Sequence, residues 1–188
     1  FVVSSGAQPP HPRSLLWKMK GKHLLKEDLS HWDGKSGAFL EALYRSRDFE
    51  FDTLLDLLDD ADVRSAASWL IKHHFEKVTA NRAQAQAILD AQLTQADWAS
   101  ILHLVQTLDH IEMMDLDVVH AVATLRINVA SDAPFVRAWS ISAFAKIAAT
   151  HTEYGEEARA IVMNALMSDE KPSVKARLKR AAKYLDQS

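Results

Sequence analysis

Asp62-Val63-Arg64-Ser65-Ala66-Ala67, Pro134-Phe135-Val136-Arg137-Ala138-Trp139 and Pro172-Ser173-Val174-Lys175-Ala176-Arg177 are three versions of one phrase. In each a valine is followed by a cation, with small residues nearby that let a neighbouring helix approach closely. The interval from Val63 to Val136 is 73 residues and from Val136 to Val174 is 38, so a degenerate copy is expected between the first two. Asp97-Trp98-Ala99 stands there, and with Trp98 as its key residue the spacings become 35, 38 and 38. A period of roughly 20 to 50 residues is the signature of stacked supersecondary units, none of which can bury its apolar face alone.

The residues following each key position carry a helical period. Positions 0, +3, +4 and +7, which share one helix face, read Val63, Ala66, Ala67, Leu70 and then Trp98, Ile101, Leu102, Val105. The third copy gives Val136, Trp139, Ser140, Ala143 and the fourth Val174, Arg177, Leu178, Ala181. The polar Arg177 is what a terminal unit with nothing stacked beyond it is expected to show. Helices are predicted near 36–46, 49–59, 62–78, 81–93, 95–111, 115–129, 134–150, 155–168 and 172–186. Thr94-Gln95-Ala96-Asp97 resembles a capping box, and Pro134 and Pro172 stand where first helical turns begin.

Composition points the same way. With 188 residues, 48% of them hydrophobic, and only five Gly and five Pro, the chain is expected to be all-α with one sizeable core. Zero cysteines exclude a disulfide framework, thiolate metal sites and cysteine nucleophiles. Residues 1–13 hold three of the five prolines and are expected to be an extended or disordered arm; residues 14–188 are expected to form a single domain. Within it, 14–32 should close the first end with one or two short helices, and regular repeats begin near 36. No apolar run approaches the roughly 18 residues of a membrane span. Phe1-Val2-Val3-Ser4-Ser5-Gly6-Ala7 is too short and uncharged for a complete secretory signal, and a chain without cysteine is compatible with a reducing compartment, so the cytoplasm is the default expectation.

The phrases Asp59-Asp60-Ala61-Asp62-Val63-Arg64 and Asp132-Ala133-Pro134-Phe135-Val136-Arg137-Ala138, each after an apolar helix and an acidic turn, resemble HEAT repeats of the armadillo-type superfamily. The resemblance covers about residues 36–188. It is weaker at Val174-Lys175 and poor at Asp97-Trp98-Ala99, which lacks the cation. It implies a right-handed α-α superhelix whose second helices line a concave surface for a protein or peptide partner, and it implies no catalysis and no cofactor. It also implies that Arg64 and Arg137 pair with aspartates of inter-helix turns, for which Asp62, Asp97 and Asp132 are candidates. The competing role for both arginines is ligand binding.

Other chemical signals are weaker. Gly34-Lys35-Ser36-Gly37 lacks the glycine a phosphate-binding loop needs five residues earlier, where Leu29 stands, and no Gly-x-Ser-x-Gly turn is present. His73-His74 with Glu76, and His103 with His110, have spacings that can share a helix face, as metal ligands do. Some HEAT-repeat hydroxylases hold di-iron with adjacent His-Glu pairs, but no histidine here is directly followed by Glu, and no metal is expected. Trp69, Trp98 and Trp139 are expected in or beside the core; Trp17 and Trp32 belong to the irregular first segment.

Charge is segregated. Arg13, Lys18, Lys20, Lys22 and Lys26 form a basic run, Asp48, Glu50, Asp52, Asp56, Asp59, Asp60 and Asp62 an acidic one, and Lys171, Lys175, Arg177, Lys179, Arg180 and Lys183 a second basic one, within a net charge of −3. The function expected is a non-enzymatic interaction scaffold, with Arg64, Ser68, Lys72, His103, Arg137, Lys175 and Lys179 as candidate partner-binding residues. The alternative is a DNA-binding protein similar to HEAT-like alkylpurine DNA glycosylases. It is disfavoured because only the last unit is strongly basic, whereas a phosphate track needs cations throughout.

Overall fold

In the computed structural model, the described backbone comprises residues 12–46, 49–91, 97–168 and 171–186, with side chains from residue 21 onward. Among these residues there are ten α-helices and no strand. They are α1 (Pro12–Ser30), α2 (Gly37–Ser46), α3 (Phe51–Leu57), α4 (Arg64–Phe75), α5 (Arg82–Ala91), α6 (Trp98–Thr107), α7 (Val119–Asn128), α8 (Pro134–Ala148), α9 (Gly155–Met167) and α10 (Pro172–Leu185). The chain is all-helical, and no helix among the described residues is long and apolar enough to cross a membrane.

The expected helices are recovered with ends shifted by a few residues. Residues 14–32 form most of one helix, α1, and not two short ones; Pro12 and Arg13, assigned to the arm, open it, while residues 1–11 lie outside the described residues. Pro134 and Pro172 are the first residues of α8 and α10, where a missing N–H costs nothing. Thr94 to Ala96 of the expected capping box lie outside the described residues. Asp97 does cap α6, its carboxylate accepting from the Ser100 N–H at 2.9 Å.

Helices pack in two rows. The even-numbered row runs α2, α4, α6, α8, α10, each against the next; in the other row α3 packs on α1 and α5, and α5 on α7. Within the pairs, α3 packs on α4, α5 on α6, α7 on α8 and α9 on α10. The centre is α8, which touches α6, α7, α9 and α10. Ten of its fifteen residues are buried, many of them Ala or Ser, because only short side chains admit neighbours on nearly every side.

The second repeat copy requires a correction. Trp98 is 64% exposed, whereas Ser100 is fully buried. Val136 and Val174 are the third residues of α8 and α10, and the third residue of α6 is Ser100. By the same criterion the matching residue of α4 is Ala66, and the spacings are 34, 36 and 38. Of the face expected for this copy, Val105 is buried and Ile101 and Leu102 pack against the core from partly exposed positions. A serine at the key site carries no apolar signal, and the nearest bulky residue, Trp98, stands two residues out of phase.

Gly34-Lys35-Ser36-Gly37 is a turn. Gly34 adopts φ of 75°, and the Asp33 carboxylate accepts from the N–H groups of Lys35 and Ser36 at 2.9 Å each, the donors a phosphate would need.

The register makes a contrast that denaturant unfolding can check. Val136→Asp puts a charge into the packed face and should cost several kcal/mol, whereas Trp98→Asp at the exposed site should cost under about 1 kcal/mol.

Candidate functional site

Of the seven sequence candidates, Arg64 and Arg137 stand at the starts of α4 and α8 and donate into the turns leading to their own helices. Arg64 Nη2 donates to the Asp59 carbonyl at 3.4 Å and Arg137 Nη1 to the Ser131 carbonyl at 2.6 Å. For Arg64 the acceptor is a backbone oxygen and not the aspartate carboxylate that the resemblance implies; Asp97 caps α6 through Oδ1, while its Oδ2 and Arg64 Nε are both buried without a hydrogen bond among the described residues.

Packing of α4 on α6 brings Ser68, Lys72 and His103 together. Ser68 Oγ lies 3.0 Å from His103 Nδ1 and donates its own proton to the Ser65 carbonyl at 2.9 Å, so His103 Nδ1–H is the donor between the two. Burial, and then the nearby Lys72 charge, push the His103 imidazole down to about 4. It is therefore neutral at pH 7. The pair has the spacing of a nucleophile and base, yet Ser68 is fully buried and its proton is committed elsewhere, so the arrangement ties two helices together. Lys72 itself pairs with Glu76 at 2.7 Å.

Where α2 meets α4, aromatic packing absorbs the other histidines. His73 stacks on Trp69 at 4.7 Å and meets the Tyr44 ring edge-on at 5.0 Å, while the Tyr44 hydroxyl lies 3.0 Å from His74 Nδ1. Burial lowers the affinity of both imidazoles for a proton. Among the described residues no three His, Cys, Asp or Glu side chains converge as a metal site requires.

The most connected polar group is one that the sequence did not single out. Asp109 lies in the short 3-10 turn Leu108–His110 that ends the α6 segment. Its carboxylate takes Arg177 Nη1 at 2.7 Å and the Tyr184 hydroxyl at 3.3 Å, both from α10. Lys146 of α8 donates to the Leu108 and Asp109 carbonyls at 3.0 and 2.6 Å, the favourable place for a cation at a helix C-terminus. Arg177 also lies flat on Trp139, with Cζ 3.2 Å from the ring centroid. Arg177 and Asp109 are only 13% and 19% exposed. This overturns Arg177 as the mark of an unstacked outer face. It points into the row and bridges α10 to α6 across α8. Counting from Ser100, His103, Trp139 and Arg177 occupy the same repeat position, a relation hidden while Trp98 set the register.

Beside this bridge, α8 and α10 leave a cleft of about 210 Å³ lined by Phe135, Ala138, Trp139, Ala176, Arg177 and Arg180, with Ser173 at its edge. Ala138 and Ala176 are too small to fill it. Lys175 is half-buried and Lys179 exposed on the same helix, outside the cleft.

The charge runs are not equivalent either. Lys22 pairs with Asp56 at 3.4 Å and Lys26 pairs with Asp60, so the basic side of α1 neutralises part of the acidic segment around α3. On α10, Lys171, Lys175, Lys179, Arg180 and Lys183 form no ion pair among the described residues. The chain matches no known family model, no curated protein and no solved structure.

Two measurements follow from these contacts. His103 binds its proton less readily folded than at its ordinary value of 6.5, so the unfolded chain protonates first as pH falls. Stability should thus decline between pH 6.5 and about 4, by on the order of 3 kcal/mol from this residue, with His73 and His74 adding in the same sense. His103→Gln should flatten the pH dependence of urea unfolding in that window. Asp109→Ala should cost roughly 3 kcal/mol at neutral pH by stranding the Arg177 guanidinium, and adding Arg177→Met to that variant, which removes the stranded charge, should recover part of the loss in the same assay.

Proposed function

We propose that the chain is a non-enzymatic protein-interaction scaffold of HEAT-like helix pairs, wound as a right-handed α-α superhelix with the even-numbered helices on its concave, partner-facing side. The observation that carries this reading is the row α4, α6, α8, α10, four helices that begin 34, 36 and 38 residues apart and pack side by side. Such a row offers a continuous surface whose shape is set by the core and whose exposed residues are free to specify a partner. The exposed positions at its later end are aromatic and cationic, Phe135, Lys179 and Arg180 among them. The compartment that fits this role, and a chain without cysteine, is the cytoplasm.

One observation favours a second reading, nucleic-acid binding: the cations of α10 that lack ion-pair partners among the described residues. Against it, both cations of α8 are engaged within the fold, Arg137 with the Ser131 carbonyl and Lys146 with the Leu108 and Asp109 carbonyls. A phosphate track broken at the middle of the row supports only weak, nonspecific attraction.

Affinity capture from lysate at moderate salt, followed by mass spectrometry, should recover one stoichiometric protein. Duplex DNA should bind weakly by fluorescence anisotropy and be lost between about 50 and 200 mM salt. Replacing Lys175, Lys179 and Lys183 with Glu should abolish that residue of binding while the helical circular dichroism persists. DNA binding that survives the higher salt, or base release from an alkylated duplex, reverses the assignment.

A further inference from the structure

We infer that the cleft between the first halves of α8 and α10 docks an acidic peptide segment, taking one apolar side chain between Phe135 and Trp139 and an adjoining carboxylate against Arg177 and Arg180; the inference rests on the scaffold reading. Two of the residues that line the cleft, Ala138 and Ala176, are too small to fill it. Its walls are the Phe135 ring, 52% exposed, and the Trp139 indole. At about 210 Å³ it suits a single large side chain more than a chain of stacked groups.

The cationic rim is built in two different ways. Arg177 is held in place on one face by Trp139 and at one edge by Asp109, so its position is set before any ligand arrives. Arg180, one turn on, is exposed and forms no ion pair among the described residues. A fixed guanidinium beside a free one, next to an apolar hollow, is complementary to a carboxylate that neighbours an apolar residue in a peptide. Lys179 and Lys183 extend the positive surface along α10, which favours further acidic residues in the same segment.

Charge also argues against two other occupants. In a second copy of this chain the acidic segment around α3 is partly neutralised, Asp56 by Lys22 and Asp60 by Lys26, which weakens its attraction to the cleft. A nucleic acid needs cations along its backbone on both sides of the groove, and the α8 side presents Phe135, Ala138 and Trp139.

The test uses the full chain and a fluorescein-labelled short peptide of Glu and Gly with one central Phe, read by anisotropy at moderate salt. The wild-type chain should bind it saturably. Arg180→Glu should weaken binding at least about tenfold, and Phe135→Ala several-fold. Exchanging the peptide's Phe for Ala should cause a similar loss with the wild-type chain and little further loss with Phe135→Ala. Both substitutions are at exposed sites, and unchanged circular dichroism verifies folding. Lys35→Glu, an exposed charge reversal far along the chain, should leave affinity within about twofold.

No binding at millimolar peptide, equal binding by the variants, or tighter binding of an oligonucleotide with the same dependence on Arg180 overturns the inference. If a captured protein partner is retained by both Arg180→Glu and Phe135→Ala, the cleft is overturned and the scaffold reading stands. If the wild-type chain captures no protein partner, the scaffold reading fails and this inference fails with it.

Discussion

Because α8 is enclosed on nearly every side, four helices must approach one axis closely, and that demand organises the rest of the molecule. Short side chains along α8 satisfy it: Ala138, Ala143, Ala145 and Ala148 are buried, as are Ser140 and Ser142. The serine hydroxyls have no hydrogen-bond partner among the described residues and are tolerated at a cost, which indicates that size outweighs polarity at these positions. A larger residue would push α6 or α10 outward and separate the groups that meet across α8. The Asp109–Arg177 pair, its Tyr184 neighbour and the Trp139 stack all depend on that separation staying small.

Polar groups in this fold divide by what they join. Ser68 and His103 tie α4 to α6, Lys146 ties α8 to the end of the α6 segment, and Arg177 ties α10 to that same end. Arg126 and Glu157 do the same for α7 and α9 in the other row, through two hydrogen bonds at 2.8 and 2.6 Å. Successive units are therefore joined by specific contacts as well as by apolar packing. Apolar surfaces can slide; a bidentate or capped cation fixes the relative position of two helices.

The same division explains which charges remain for a partner. Where two elements of opposite sign lie side by side, as α1 and α3 do, lysines and aspartates satisfy one another. Helix α10 is the last of the row among the described residues, and its buried face of Val174, Leu178, Ala181 and Leu185 packs on α8 and α9. Its outer cations meet no opposing element among the described residues, and the cleft beside α8 gives them an apolar neighbour.

From the sequence alone came the helical class, the positions of most of the helices and the proline starts of α8 and α10, because each depends on local periodicity and on groups a few residues apart. The buried face of α4 was legible for the same reason, Val63, Ala66, Ala67 and Leu70 all being apolar. Where a local signal was missing or misleading, the tertiary structure decided. Ser100 holds a core position by size and not by apolarity, so Trp98 drew the register away from it. Arg177 looks like a solvent-facing cap until Asp109, 68 residues earlier, is placed beside it. Nothing in the spacing of those two residues could bring them together; the distance between α6 and α10 is set by how closely both can pack on α8, and close packing is a property of the assembled helices.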